Sequence, residues 1–199
     1  MRMRTIVRAR RIAGARPPCL ARRTRGTAAA AVLALGVAPA ALAPPPAAAR
    51  ACAAAAASPG AAISTRTLRG SLRCLVNAER GARGLAPLHR SRRLARAATW
   101  HAADMVTRRY FAHERPGWTL PIRMQAVGWT GTVGEAIAWG CGGSGTPRAI
   151  LDSWLQSPPH RAIVLGPYRR AGIGLAVGVP VALACSRAGT WVLDAGRRA

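Results

Sequence analysis

From Thr67 onward the apolar residues of this chain recur every three or four positions. From residue 171 they come instead in short runs, AGIGLAVGV, VALACS and TWVLDA, separated by Pro180 and by Ala188 and Gly189. The first spacing puts one apolar stripe on a helix; the second is that of β-strands. A chain with its helices first and its strands last reads as α+β, with helices packed on an antiparallel sheet. Leu68, Leu72, Leu75 and Val76 predict a helix over TLRGSLRCLVNAERGARG that ends at residues 81–84. Leu94, Ala98, His101 and Met105 share one stripe of a second helix starting at Ser91. A loop, YFAHERPGW, leads to a short helix at 122–128, then a strand, VGEAIAWGC, and a Gly/Ser loop. Thr146 as N-cap and Pro147 at the first helical position open another helix, RAILDSWLQ, and HRAIVL adds a turn or two.

The 199 residues include 30 basic ones, all arginine, against six acids. Nine of those arginines precede residue 26, ahead of the apolar run 27–43, which ends in A-L-A. That order is expected of a secretory signal, and the run is short and alanine-rich for a membrane span. We therefore set residues 1–50 apart as signal and Ala/Pro-rich lead-in, 51–66 as a flexible N-terminal segment, and 67–199 as the folded domain. From Pro44 on, 21 arginines face six acids. Such a field favours lipid or anionic cell-envelope components as partners. No zinc-finger spacing, RRM-like aromatic motif or recognition helix supports nucleic acid, so none is expected. The expected location is secreted, extracellular or associated with the cell envelope. Four cysteines follow the signal, allowing three pairings. We expect Cys52 with Cys74, tying the N-terminal segment to the first helix, and Cys141 with Cys185, linking two strand-like runs. By loop entropy each would contribute roughly 3–4 kcal/mol.

Glu135 is one of the six acids, yet it sits inside an apolar, strand-like run. A carboxylate there must face water, find a partner or be neutralised, because burying it alone is expensive. His113 in the loop and His160 after Pro158 and Pro159 lie at element boundaries, where side chains reach a cleft. With Glu135 they form a His, Glu, His set suited to a divalent metal with an open position, or to general acid/base chemistry. Spacing alone equally allows a surface His, a capping His and a Glu held by arginine. His101 reads as a packed core histidine, His89 as a solvated one. Asp104 and Asp152 read as ion-pair partners, and Asp194 as a group that helps hold the last strand. No catalytic residue is assigned. GGSGT lacks the second glycine of a nucleophile elbow, and Pro116 breaks any H-E-x-x-H helix after His113.

Taken in order, LVNAERGARGL, HAADM, FAH, GEAIA, WLQSPPHR and WVLDAG resemble the CAP superfamily of cysteine-rich secretory, antigen 5 and pathogenesis-related proteins, in its bacterial secreted, SCP-like branch. The resemblance spans residues 72–196. It implies an α-β-α sandwich with a central antiparallel sheet flanked by helices, and a large cleft lined by His113, Glu135 and His160. These three are then candidate ligands for Zn2+ or another divalent cation. The chain also departs from the family pattern. Trp154 is followed by Leu155, Gln156 and Ser157, so a second cleft carboxylate is missing, and Ala136, Ile163 and Ala195 replace family asparagines and a phenylalanine. Fewer negative ligands and lost supporting hydrogen bonds weaken a metal site. The resemblance therefore implies a binding protein for a lipid-like or other small ligand, with a metal as an option. The alternatives are a metal-assisted, peptidase-like hydrolase and a purely structural envelope protein. Nothing in the sequence defines an oligomeric state.

Overall fold

Among the described residues, four of the five α-helices begin on a hydroxyl that accepts a backbone N–H three residues on. Ser64 accepts from Thr67 ahead of α1 (Thr65–Gly81), and Ser91 from Leu94 ahead of α2 (Arg92–Arg108). Thr119 accepts from Ile122 ahead of α3 (Leu120–Ala126), and Thr146 from Ala149 ahead of α4 (Pro147–Gln156). Each cap satisfies one otherwise orphaned donor and contributes about 1 kcal/mol. α5 (Pro158–Val164) starts instead on its two prolines. The computed structural model describes residues 52–198; the expected signal segment lies outside them.

The strands are β1 (His89–Arg90), β2 (Thr132–Cys141), β3 (Arg170–Val177) and β4 (Ala188–Arg197), in sheet order β1-β3-β4-β2. The three long strands pair antiparallel, as expected. The two-residue β1 pairs parallel to β3 and makes the sheet mixed. Side-chain alternation splits the core in two. Trp191, Leu193 and Ala195 of β4, with Ala136 of β2, pack with Leu68, Leu72 and Leu75 of α1 and Ile150, Leu151 and Trp154 of α4. Val192 of β4 and Ile137 of β2 face the other way, onto Ala98, Ala102 and Met105 of α2. Helices thus cover both faces, giving the α-β-α sandwich. At its rim Trp129 is buried among Leu94, Ala97, Met124 and Val127.

Both disulfides form as expected, Cys52–Cys74 and Cys141–Cys185. Two local readings need correction. VALACS is a loop rather than a strand, because Pro180 and the turn at Ser186 and Arg187 take it out of pairing. The second disulfide therefore ties β2 to that loop. The N-terminal segment expected to be flexible is also fastened, from Cys52 to Ser58. Cys52 is bonded to α1, Arg148 N–H donates to the Ala55 carbonyl at 2.9 Å, and the Ser58 hydroxyl donates to the Gly142 carbonyl at 2.9 Å.

Candidate functional site

Asn77 of α1 pins the chain where it leaves that helix: its side-chain amide accepts from Leu88 N–H at 2.8 Å and donates to the Leu88 carbonyl at 3.2 Å. Arg80, almost wholly buried, donates to the carbonyls of Ala86, Val164, Gly166 and Tyr168. Two polar residues of LVNAERGARGL thereby hold the approach to β1 and the turn between α5 and β3. Asp104 of α2 does the equivalent for the loop that carries His113. It takes both arms of the Arg115 fork, at 2.7 and 2.8 Å, plus the Tyr110 hydroxyl at 2.5 Å and Arg108 Nε at 2.9 Å. These donors, Arg115 foremost, hold the Asp104 carboxyl far below the ordinary carboxylate range, and burial followed by Asp104 pushes Tyr110 up to about 12.

His113, so placed, sits over Glu135. Its Nδ1 lies 2.9 Å from Glu135 Oε1. The Glu135 carboxylate accepts only, so His113 Nδ1 donates to it, and Nε2 is left without a partner among the described residues. The other carboxylate oxygen, Oε2, accepts from Arg123 Nη2 at 2.6 Å. Arg123 is fully buried, and its Nη1 also donates to the carbonyls of His113 and Trp118, at 3.0 and 3.2 Å. One guanidinium therefore fixes both the loop and the acid. Burial alone would raise the Glu135 pKa; the His113 hydrogen bond and the charges of Arg123, His101 and His113 outweigh it and hold it below the ordinary value. The ring centroid of His160, at the start of α5, is 6.1 Å from that of His113. Burial and the neighbouring His113 lower the His160 pKa. The structure thus brings His113 and Glu135 into direct contact and sets His160 beside them.

Three further residues belong to this cluster. Arg123 lies on the short helix expected at 122–128, where a single arginine among apolar residues is the one signal in the sequence. His101 is the packed core histidine expected from its stripe on α2. It is fully buried, but no hydrogen bond of ordinary geometry reaches its ring, and Nε2 lies 3.8 Å from Glu135 Oε1. Burial lowers its pKa to about 4. Asp194 stands directly opposite Glu135 in the β2 and β4 register, wholly buried, and neither of its oxygens accepts a hydrogen bond. Burial first, then the charge of Glu135, drives its pKa well above the ordinary value, so the Asp194 carboxyl keeps its proton. A second carboxyl thus stands beside Glu135, buried on β4 and not on the fourth helix.

The set does not fit a zinc centre. Both Glu135 oxygens are engaged, one by a buried arginine that already supplies the positive charge a metal would bring. Among the described residues no group of three or more His, Cys, Asp or Glu is arranged to hold a metal ion. Nor, among them, does any hydroxyl or thiol hydrogen-bond to His113 or His160, so no activated nucleophile is formed. What the arrangement offers is a half-exposed imidazole held in one orientation, a second imidazole beside it, and a locked carboxylate behind.

The chain is 35% identical over 103 residues to an uncharacterized protein, YkwD, of Bacillus subtilis (strain 168); the match covers 50% of this chain and 39% of that protein. It therefore spans about two fifths of the relative's length. Two solved structures share the fold. An extracellular protein containing a SCP domain from Bacillus anthracis str. Ames superposes with a TM-score of 0.56 at 23% identity, over 68% of this chain and 44% of that one. An outer surface protein from Borrelia burgdorferi gives 0.60 at 19% identity, over 69% and 97%. The family profile itself matches residues 74–180, which take in α1 from its disulfide cysteine, the His113 loop, Glu135, His160 and most of the sheet. By that match, the chain belongs to the cysteine-rich secretory protein (CAP) family.

Proposed function

We propose that this is an exported CAP-domain protein that binds a small amphipathic ligand, with His113 and His160 holding the ligand's polar end. One observation carries the reading: His113 is fixed on Glu135 at 2.9 Å beside a second imidazole, and among the described residues no hydroxyl or thiol hydrogen-bonds to either ring. Such a pair accepts hydrogen bonds from, or donates them to, a hydroxyl or carboxyl group. Two apolar features support the ligand class. Phe111 and Ile122, neighbours in sequence of His113 and Arg123, are exposed. A groove of about 570 Å³ lined by Leu120, Pro121, Met124, Trp129 and Val133 also runs along α3, although neither histidine lines it. Export rests on the basic and apolar leader at 1–43, and on the extracellular and outer-surface relatives. Among the described residues no helix is long and apolar enough to cross a membrane.

The test is titration of the oxidised domain with palmitate and with lysophosphatidylcholine while following the histidine ring resonances by NMR. Saturable shifts at His113 and His160 are expected, with affinity falling at least tenfold in the His113→Ala/His160→Ala variant. Unchanged affinity in that variant would remove the histidines from the site. Calorimetric titration with zinc should show no stoichiometric binding; zinc binding lost in the same variant would restore the metal reading.

A further inference from the structure

Arg66, Arg69 and Arg73 fall at i, i+3 and i+7 on α1 and share one face of the helix. Gly70, at i+4, lies in the same stripe. Across from them stand Arg90 of β1 and Arg92 at the start of α2. Together these residues line a concavity of about 500 Å³ whose floor is Ala95, Ala171 and Ile173. No acid lines it. Each of the six acids is committed elsewhere: Glu79 to Arg83, Asp104 to Arg108 and Arg115, Asp152 to Arg148, Glu135 to Arg123, Glu114 to the Leu120 N–H, and Asp194 to the interior. Among the described residues, Arg66, Arg73, Arg90 and Arg92 have no hydrogen-bond or ion-pair partner for their guanidinium groups. Arg69 is oriented by the Thr65 carbonyl and the Thr99 hydroxyl, each at 3.2 Å, and its pKa is lowered by burial and by the charges of Arg90 and Arg66.

Two local choices make this arrangement unfavourable for the protein alone. Arg92 and Arg93 occupy the first turn of α2, which has no acid, so they oppose the helix dipole. Gly70 sits inside α1, where glycine is a poor helix former, and a Cβ built there would meet nothing within 4 Å. The missing side chain keeps the groove open.

We infer that this groove between α1, β1 and the start of α2 is a binding site for an extended phosphate-bearing polyanion, gripped by Arg66, Arg69, Arg73, Arg90 and Arg92. Guanidinium forks match phosphate oxygens in pairs, and a row of them one helical turn apart suits successive phosphates on a chain. A concavity with a small-residue floor accepts a polymer strand. A flat bilayer cannot enter it, and none of the exposed large apolar side chains, Trp100, Phe111, Ile122, Val177 and Leu183, lines it. The site is separate from His113 and His160.

The experiment is calorimetric titration of the oxidised full domain with a short inorganic polyphosphate, beside polyglutamate of equal charge and phosphatidylglycerol vesicles. The groove variant is Arg66→Gln/Arg73→Gln/Arg92→Gln, and a control variant with the same charge change is Arg109→Gln/Arg161→Gln/Arg187→Gln. A third, Gly70→Leu, fills the groove without altering charge and improves helix propensity. Polyphosphate should bind one chain per domain, at least tenfold more weakly in the groove variant, with loss in Gly70→Leu and little change in the control. Equal losses in the groove and control variants would reduce the effect to diffuse charge and overturn the proposal. Equal binding of polyglutamate would overturn phosphate recognition. Vesicle binding that depends on the groove, without polyphosphate binding, would assign the face to membrane instead.

Discussion

Asp194 and Glu135 project from paired positions on β4 and β2, yet of these two carboxyls Arg123 hydrogen-bonds only that of Glu135. Burying two carboxylates against one guanidinium would leave an unpaired charge, so the pair holds a single negative charge and Asp194 keeps its proton. Because the folded pKa of Asp194 is raised, its contribution to stability is intact below the unfolded value and is lost as pH rises through the folded value. Asp194→Asn keeps the shape and dispenses with the proton. Relative to wild type it should gain about 1.4 kcal/mol per pH unit across the window between the two pKa values, as urea unfolding at a series of pH values would show. A difference independent of pH would mean that Asp194 is ionised in the fold. Arg123 makes the complementary case. Arg123→Leu strands a buried carboxylate and two carbonyls and should cost about 3–5 kcal/mol. Glu135→Gln added to that variant should recover part of the loss, which a double-mutant cycle would measure.

At the scale of elements, α2 lies close on β3 because β3 carries Gly172 and Gly174. A Cβ at Gly172 would collide with the backbone of Leu94 and Ala95, and one at Gly174 with that of Ala98 and Thr99. Gly174→Ala must therefore push the helix outward, taking His101 and Asp104 with it. Overpacking of this kind should lower stability by about 1–3 kcal/mol and disturb the His113 ring resonance as well. A stability loss without a change at His113 would show the loop to be independent of α2. The glycines of AGIGLAVGV are plain in the sequence, but their reason is not, since it lies in a helix some eighty residues earlier. The same limit explains what else was missed. Periodicity revealed α1, α2 and α4 because each has one buried stripe, and β2, β3 and β4 stood out as short apolar runs. It gave no warning of β1, which is two exposed residues, or that VALACS would stay unpaired, since apolar content alone does not supply a partner strand. His113, Glu135 and His160 were legible through the order of the family motifs. Arg123 and Asp194 were not, because an ion pair between a helix and a strand twelve residues apart, and a carboxyl matched by strand register, leave no spacing to read.

For the molecule as a whole, the buried charges set a stability optimum between two opposed titrations. Asp194 favours lower pH; His101, Asp104 and Glu135 favour higher pH. Each of these last three has a folded pKa below its ordinary value, so each contributes stability above its unfolded pKa and loses it as pH falls. His101 acts first. It is buried neutral, with its pKa lowered from 6.5 to about 4, so charging it competes with folding from about pH 6.5 downward. A shift of that size corresponds to about 3 kcal/mol, lost progressively between pH 6.5 and 4, before the carboxylates titrate. The effect is isolated by comparison with His101→Gln. Any constant penalty of that substitution shifts its whole stability curve, whereas the titration of His101 changes the slope. Wild type should be the more stable protein at pH 7 and lose about 3 kcal/mol relative to the variant by pH 4, measured by urea unfolding with both disulfides intact. Parallel curves over that interval would mean that His101 charges as readily in the fold as in the unfolded chain. The acid sensitivity would then have to come from the carboxylates, beginning at lower pH, and the contact between His101 and Glu135 would have no part in it.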